Sequence, residues 1–266
     1  MFWDTHMHTD FSGDCTSTPV SMIESAIEKG LTGICITDHL DYDYPEDIDF
    51  EIDLPVYLQK IRELQEIYKN KIEILFGVEL GIQPHLADRL AKVTATYPFD
   101  YVIGSSHLVH NKDPYYPEFY QDRSEEACYR EYFESIYENL HLSFTDYDSY
   151  GHLDYTVRYG PNKNQFYTYE KYADILDAIL ETLIRKEIAL EVNTAGFKYR
   201  LGHPNPAEDV IRRYRDLGGR LITIGADAHK PEHIAFDFQK IPALLQACGF
   251  DYYTIFKNRQ PEFIKL

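Results

Sequence analysis

The sequence predicts an α/β domain built around a largely parallel sheet. Short apolar, strand-like runs alternate with longer amphipathic segments along the whole chain, the rhythm of strand–helix–strand units. Residues with metal-ligand chemistry fall just after nearly every one of those runs. With 266 residues, 44% of them hydrophobic, and no repeat, low-complexity stretch or Gly/Ser linker at which to divide it, the chain 1–266 is expected to form one barrel-sized domain.

Seven strands are predicted, at 1–7, 31–37, 72–78, 101–104, 148–151, 188–193 and 220–225, with 250–255 as an additional terminal strand. Between them the apolar spacing predicts helices over 19–29, 54–69, 85–96, 125–139, 169–186, 206–217 and 241–248. Ser21 and Glu24 have capping-box spacing near the first helix, although Pro19 places its start earlier. Asn205, Pro206 and Glu208 read as cap, first-turn proline and third-position carboxylate of the sixth. Two irregular stretches, 40–53 and 111–123, are predicted to be long loops after strands, the kind that surround the active site of a barrel.

Composition excludes several classes of function. A formal charge of −18 disfavours a nucleic-acid partner, which is normally held by Lys and Arg contacts to phosphate. A small phosphorylated ligand is still allowed, because local cations or metal ions reverse the field within one cleft. Cys15, Cys35, Cys128 and Cys248 form no C-x-x-C pair and are expected to be reduced thiols. No segment is long and apolar enough to span a bilayer and no secretory leader is legible at the start, so no membrane is expected and the cytoplasm is the expected compartment.

The chemistry collects at strand ends. His6 and His8 follow the first strand, Asp38 and His39 the second, Glu79 the third, His107 the fourth, His152 the fifth, Glu191 and Asn193 the sixth, and Asp227 and His229 the seventh. In a closed parallel barrel the C-terminal ends of all strands share one rim, so residues remote in sequence become neighbours. His6 and His8 are two apart, as are Asp227 and His229, and residues i and i+2 of a strand face the same way. Any one of these groups alone is an ordinary turn or hydrogen-bonded residue. Six of the eleven histidines at strand ends is a poor match to independent accidents. Imidazole and carboxylate donors together suit zinc, manganese or iron, and a set this large suits two or three ions that share bridging ligands.

These motifs resemble the polymerase and histidinol phosphatase (PHP) superfamily of metal-dependent phosphoesterases. The likeness lies in Asp4-Thr5-His6-Met7-His8-Thr9, Thr37-Asp38-His39, Gly77-Val78-Glu79, His107, His152 and Ala226-Asp227-Ala228-His229. It implies a distorted (β/α)7 TIM-like barrel and two or three divalent transition-metal ions. By the resemblance, one ion is held by His6, His8, Glu79 and Asp227, a second by Asp14, His39 and His229, and a third by Glu79, His107 and His152. Asp14 departs from many members, which place a histidine there. The segments Phe11-Ser12-Gly13-Asp14, Gly151-His152-Leu153-Asp154-Tyr155, Arg158-Tyr159 and Glu191-Val192-Asn193-Thr194 are most similar to the histidinol-phosphate phosphatases of that superfamily.

The implied reaction is hydrolysis of L-histidinol phosphate to L-histidinol and phosphate, through in-line attack on phosphorus by a hydroxide bridging two metals. For protonation of the leaving alkoxide, Asp227 is a candidate proton shuttle and metal-bound water is the alternative. Arg158, with Lys198 or Arg200, is the candidate phosphate clamp, because guanidinium donates parallel hydrogen bonds. Glu191 and Asn193 are candidates for the amino alcohol, and Tyr115, Tyr116 and Tyr120 for closure over the imidazole. A phosphatase acting on another small phosphomonoester or on phosphotyrosine, and a barrel that binds metal without catalysis, are the competing readings. An amidohydrolase also opens with His-x-His, but a metal-bridging lysine is common at its fourth strand, where this chain has Ser105-Ser106-His107.

Overall fold

The computed structural model describes residues 2–266. Parallel strands β1 (Trp3–Asp4), β2 (Gly33–Ile36), β4 (Glu73–Gly81), β5 (Tyr101–Ser105), β6 (Ser149–Tyr150), β7 (Ala189–Asn193) and β8 (Ile222–Gly225) follow one another around the sheet, and β3 (His39–Leu40) pairs with the end of β4. The predicted first strand is shorter than 1–7, and its first residue lies outside the described residues. The sheet closes irregularly. Thr5 N donates to Ile224 O at 3.2 Å, Asp227 N to His6 O at 2.8 Å and His8 N to Ala228 O at 2.9 Å, with one bridge between Met7 and Ala228 in place of a continuous ladder. The result is a distorted seven-strand barrel, nearly closed, as the sequence predicts.

Helices cover the outside, so the strands are buried on both faces and read as unbroken apolar runs such as Ile34-Cys35-Ile36. In α1 (Pro19–Glu28), Thr18 caps the first turn by accepting from Ser21 N, so Ser21 is inside the helix rather than at its cap. Asp53 and Ser124 cap α2 (Leu54–Tyr68) and, beyond α3 (Ala87–Thr96), α4 (Glu125–Asn139) in the same way. Helix α5 (Ala173–Arg185) buries Leu176, Ile179, Leu180 and Leu183, one stripe at helical spacing. A short α6 (Ala195–Lys198), absent from the sequence prediction, turns the chain back over the rim. Helix α7 (Glu208–Asp216) starts two residues later than predicted. Asn205 is not its cap, because its side chain is buried against Arg158 and Asp154 instead.

After α8 (Ile241–Ala247), strands β9 (Tyr252–Lys257) and β10 (Gln260–Lys265) form a hairpin across Asn258 and Arg259, which take φ +49° and +64°, the conformation of a tight two-residue turn. The hairpin covers the barrel end opposite the strand C-termini: Arg259 donates to Asp148 just before β6, and Lys257 reaches Glu73 at the start of β4. With that end plugged, access is left at the other rim, where the loops 40–53 and 111–123 both contribute to a cleft of about 670 Å³. Among the described residues no helix is long and apolar enough to cross a membrane.

Candidate metal centre at the barrel rim

Glu79 lies at the middle of the rim. It is fully buried near the end of β4, with Oε2 3.0 Å from His39 Nδ1, 3.3 Å from His6 Nε2 and 3.6 Å from His8 Nε2. Its other oxygen, Oε1, is 2.9 Å from His152 Nε2 and 3.3 Å from His107 Nε2, and accepts from Ser105 Oγ at 2.6 Å. One carboxylate thus faces imidazoles from five positions in the chain. Asp227 Oδ1 lies 3.5 Å from His8 Nε2 and 3.9 Å from His6 Nε2, and Asp14 Oδ2 lies 3.0 Å from His229 Nε2 and 3.8 Å from His39 Nε2. All nine predicted ligands are therefore in one continuous cluster. His8 stacks between His39 and His229, with centroid separations of 4.0 and 4.2 Å.

The cluster has the polar imbalance of a metal site. His6 Nε2, His8 Nε2, His39 Nδ1 and Glu79 Oε2 are buried with no hydrogen-bond partner. Such atoms are costly inside a protein unless something coordinates them. His6, His8 and Glu79 offer donor atoms all within 4.8 Å of one another, as do His39, Glu79 and His107, and His8, His39 and His229. Neutral imidazole with carboxylate is a donor set that fits divalent transition metal.

Without an ion, protons carry the compensating charge. Burial opposes ionisation of Glu79, but His6, His107 and His39 outweigh it and hold the carboxyl well below its ordinary value. Burial alone would lower His39; Glu79 and Asp14 instead push it up to about 9. His6 behaves likewise, with Glu191 and Glu79 overcoming burial, whereas His8 is held well below the ordinary value by burial and by His39 and His229. For Asp227, Arg158 and His6 overcome burial and keep it ionised. Glu79 and Asp227 are thus held as carboxylates by the cationic groups around them.

A model of the PHP domain matches residues 4–195, a span that contains all but two of the clustered ligands. The chain belongs to the PHP domain family. Within that family it is 35% identical to the histidinol-phosphatase of Lactococcus lactis subsp. lactis over 96% of this chain and 94% of that protein. It is 32% identical to a Clostridium acetobutylicum protein described as a probable histidinol-phosphatase, over 94% of each chain. The crystal structure of the L. lactis histidinol phosphate phosphatase, in complex with zinc, L-histidinol and phosphate, superposes with a TM-score of 0.89 at 33% identity and covers 98% of both chains.

The PHP barrel also shows which predicted substrate contacts stand elsewhere. Glu191 and Asn193 do not face the cleft; they lie beneath the ligand layer. Glu191 Oε1 accepts from His6 Nδ1 at 2.5 Å and Oε2 from His152 N at 2.7 Å, and the first of these bonds aims His6 Nε2 toward Glu79. Gly225 permits this packing, since a Cβ there would lie 2.3 Å from that of His6 and 2.6 Å from Glu191 Oε1. Asn193 accepts from Arg158 Nη2 at 2.9 Å. Arg200 is exposed at φ +64° and is not part of the cleft wall, because the turn ending α6 directs it to solvent.

Arg158 and Lys198 do line the cleft. Arg158 is buried and already donates to Asn205, Asn193 and Asp227, and Lys198 Nζ donates to Asp227 O at 3.1 Å. Tyr115 and Tyr116 reach the cleft, whereas Tyr120 is buried with its hydroxyl on Thr156. Asp41 was not singled out from the sequence. Its Oδ1 receives His107 Nδ1 at 2.7 Å, as Glu191 receives His6, and its i+2 spacing from His39 on the strand end is the signal that would have found it.

Proposed function

We propose that the chain is a metal-dependent phosphomonoesterase that hydrolyses L-histidinol phosphate to L-histidinol and phosphate, with two or three zinc, manganese or iron ions at the rim. The observation that carries this reading is the ring of unpartnered imidazole nitrogens around Glu79, beside a cleft that Arg158, Lys198 and Lys230 help to line. The near full-length likeness to the L. lactis enzyme supports the choice of substrate.

Nine residues would hold the metals: His6, His8, Asp14, His39, Glu79, His107, His152, Asp227 and His229. When bound, such ions supply a nucleophile from water at neutral pH and neutralise the phosphoryl oxygens. The protein's own part is positional and electrostatic. Glu191 and Asp41 fix the orientation of His6 and His107 through their Nδ1 atoms. Arg158 fixes Asp227 through Oδ2, leaving Oδ1 to the centre. With Oδ2 paired to Arg158, Asp227 would serve as a metal ligand through Oδ1 and is the candidate proton shuttle. Arg158 and Lys198, which line the cleft, would supply the donors for the phosphoryl oxygens.

The test is a steady-state screen of the metal-loaded protein against L-histidinol phosphate, phosphotyrosine and other small phosphomonoesters, repeated after chelation. Selective, chelator-sensitive turnover of L-histidinol phosphate is the expected result. Absence of any metal-dependent phosphatase activity would remove the reading.

A further inference from the structure

One buried carboxylate in the cleft belongs neither to the ligand cluster nor to its supports. Asp113, in the loop after β5, is 8% exposed and lines the cleft. Its partners are three neutral donors: Tyr115 N at 2.7 Å and Tyr155 OH at 3.2 Å to Oδ1, and Tyr44 OH at 2.8 Å to Oδ2. No Lys, Arg or His makes an ion pair with it among the described residues. Burial pushes the Asp113 carboxyl above its ordinary value in spite of these hydrogen bonds, and a carboxylate hydrogen-bonded only to neutral groups gains most where a cation comes to it.

Its place in the cleft indicates where that cation comes from. Tyr155 spans the distance between Asp113 and the metal ligands: its hydroxyl is on Asp113, while its ring centroid is 5.1 Å from that of His152 and 5.8 Å from that of His107. The carboxylate therefore stands about one phenol ring from the reacting centre. From Tyr155 the aromatic wall continues through Tyr159 at 5.0 Å to Tyr199 at 5.4 Å, and Tyr199 lies against Arg158. Arg158, Lys198 and Lys230 line the same cleft as Asp113 and Tyr44, and the Arg158 guanidinium lies 5.7 Å from the Tyr155 ring whose hydroxyl is on Asp113. The cleft thus holds cationic side chains for a phosphate and, one phenol ring from the ligand cluster, a separate buried carboxylate among aromatic faces that also favour cations.

We propose that Asp113 is the specificity anchor of this cleft, its carboxylate receiving a cationic group, ammonium or imidazolium, on the alcohol half of the phosphomonoester. The inference rests on reading the site as a phosphomonoesterase. It assigns Asp113 the choice among phosphate esters, since hydrolysis at phosphorus is the same for all of them. A neutral alcohol in that position would leave the carboxylate without its counter-charge, which is a discrimination of the kind that polar subsites make well.

The experiment compares kcat/KM for L-histidinol phosphate, other amino-alcohol phosphates and 2-phenylethyl phosphate, an uncharged ester of similar bulk, in the wild type, Asp113→Asn and Asp113→Glu. The wild type should prefer the cationic esters. Asp113→Asn should lower the ratio of cationic to neutral kcat/KM by roughly ten- to a hundredfold, mainly through KM. Its Ki for L-histidinol should rise more than its Ki for inorganic phosphate. Asp113→Glu, which keeps the charge, should retain more of the ratio than the asparagine variant. Equal losses on both ester classes, which a role confined to tying Tyr44 and Tyr155 together would produce, overturn the anchor and leave the phosphatase reading intact. A wild type that prefers a different amino-alcohol phosphate, with that preference lost in Asp113→Asn, keeps the anchor and removes histidinol phosphate as the substrate. No preference for cationic esters in the wild type overturns both.

Discussion

Arg158 Nη1 donates to Asp227 Oδ2 at 2.7 Å, and both side chains are buried. An arginine expected from the sequence to clamp phosphate is therefore also the counter-charge of a metal-ligand candidate. Removing one partner of such a pair strands the other, at about 3–5 kcal/mol. Arg158→Ala should accordingly lower both thermal stability and metal occupancy, and reduce kcat/KM by more than the roughly ten- to a hundredfold loss of a phosphate contact alone. Arg158→Lys keeps the charge but not the fork that also reaches Asn193 and Asn205, and should fall between the two. Metal analysis, melting curves and kinetics on the same samples check this; full metal occupancy with only KM raised would restore the simple clamp.

Glu79→Ala should empty the centre without unfolding the barrel. Both oxygens of Glu79 face imidazoles, so its loss removes the group that links five of the six clustered histidines. Turnover is expected to fall by more than about a hundredfold, with most of the metal lost. The melting temperature should approach that of chelated wild type. Near-normal turnover at full metal content would make Glu79 a structural residue.

Glu191→Gln tests orientation separately from ligation. Glutamine preserves the shape but weakens the acceptor that fixes His6 through Nδ1. Metal affinity should drop by about ten- to a hundredfold, the usual cost of losing a ligand's outer hydrogen bond, and excess metal should recover the activity. Equilibrium dialysis against a chromophoric chelator gives the affinity directly. Gly225→Ala, which drives a methyl into the same two side chains, should be worse and not recoverable by metal.

Metal retention should depend on pH with a definite sign. Imidazoles bind metal only when neutral at the coordinating nitrogen, and in the metal-free cluster neighbouring carboxylates push His39 up to about 9 and His6 well above its ordinary value. Loading therefore displaces protons, and retention weakens as pH falls. Titration of metal into weakly buffered apoprotein should acidify the solution, and dialysis at pH 5 should strip more metal than at pH 8. A proton count of zero on loading at neutral pH would contradict the cluster's charge state.

Much of this was legible from residue order alone. Period and punctuation predict seven strands with helices between them, and ligand-type residues recur at strand ends, because a parallel barrel has one rim and each strand can present only its last residues there. Eight of the nine ligand candidates stand at predicted strand ends and are readable on that basis without coordinates, whereas Asp14, in a turn, comes only from the family resemblance. Which residues stand behind them is not. Glu191 and Asn193 end a strand just as His6 and His8 follow one, but the packing of His6 against Gly225 decides that they support the ligands from below the cleft. Arg158 and Arg200 are both loop arginines in sequence; only the fold buries the first on Asp227 and turns the second to solvent. Asp113 lies in a loop crowded with tyrosines, and nothing local marks it. Tyr115 N is a local partner, but Tyr44 and Tyr155, which complete its set of neutral donors, lie on two other chain segments that meet it only after the barrel has closed. Periodicity is a local property and survives in sequence, whereas burial and charge compensation are set by what packs from elsewhere in the chain.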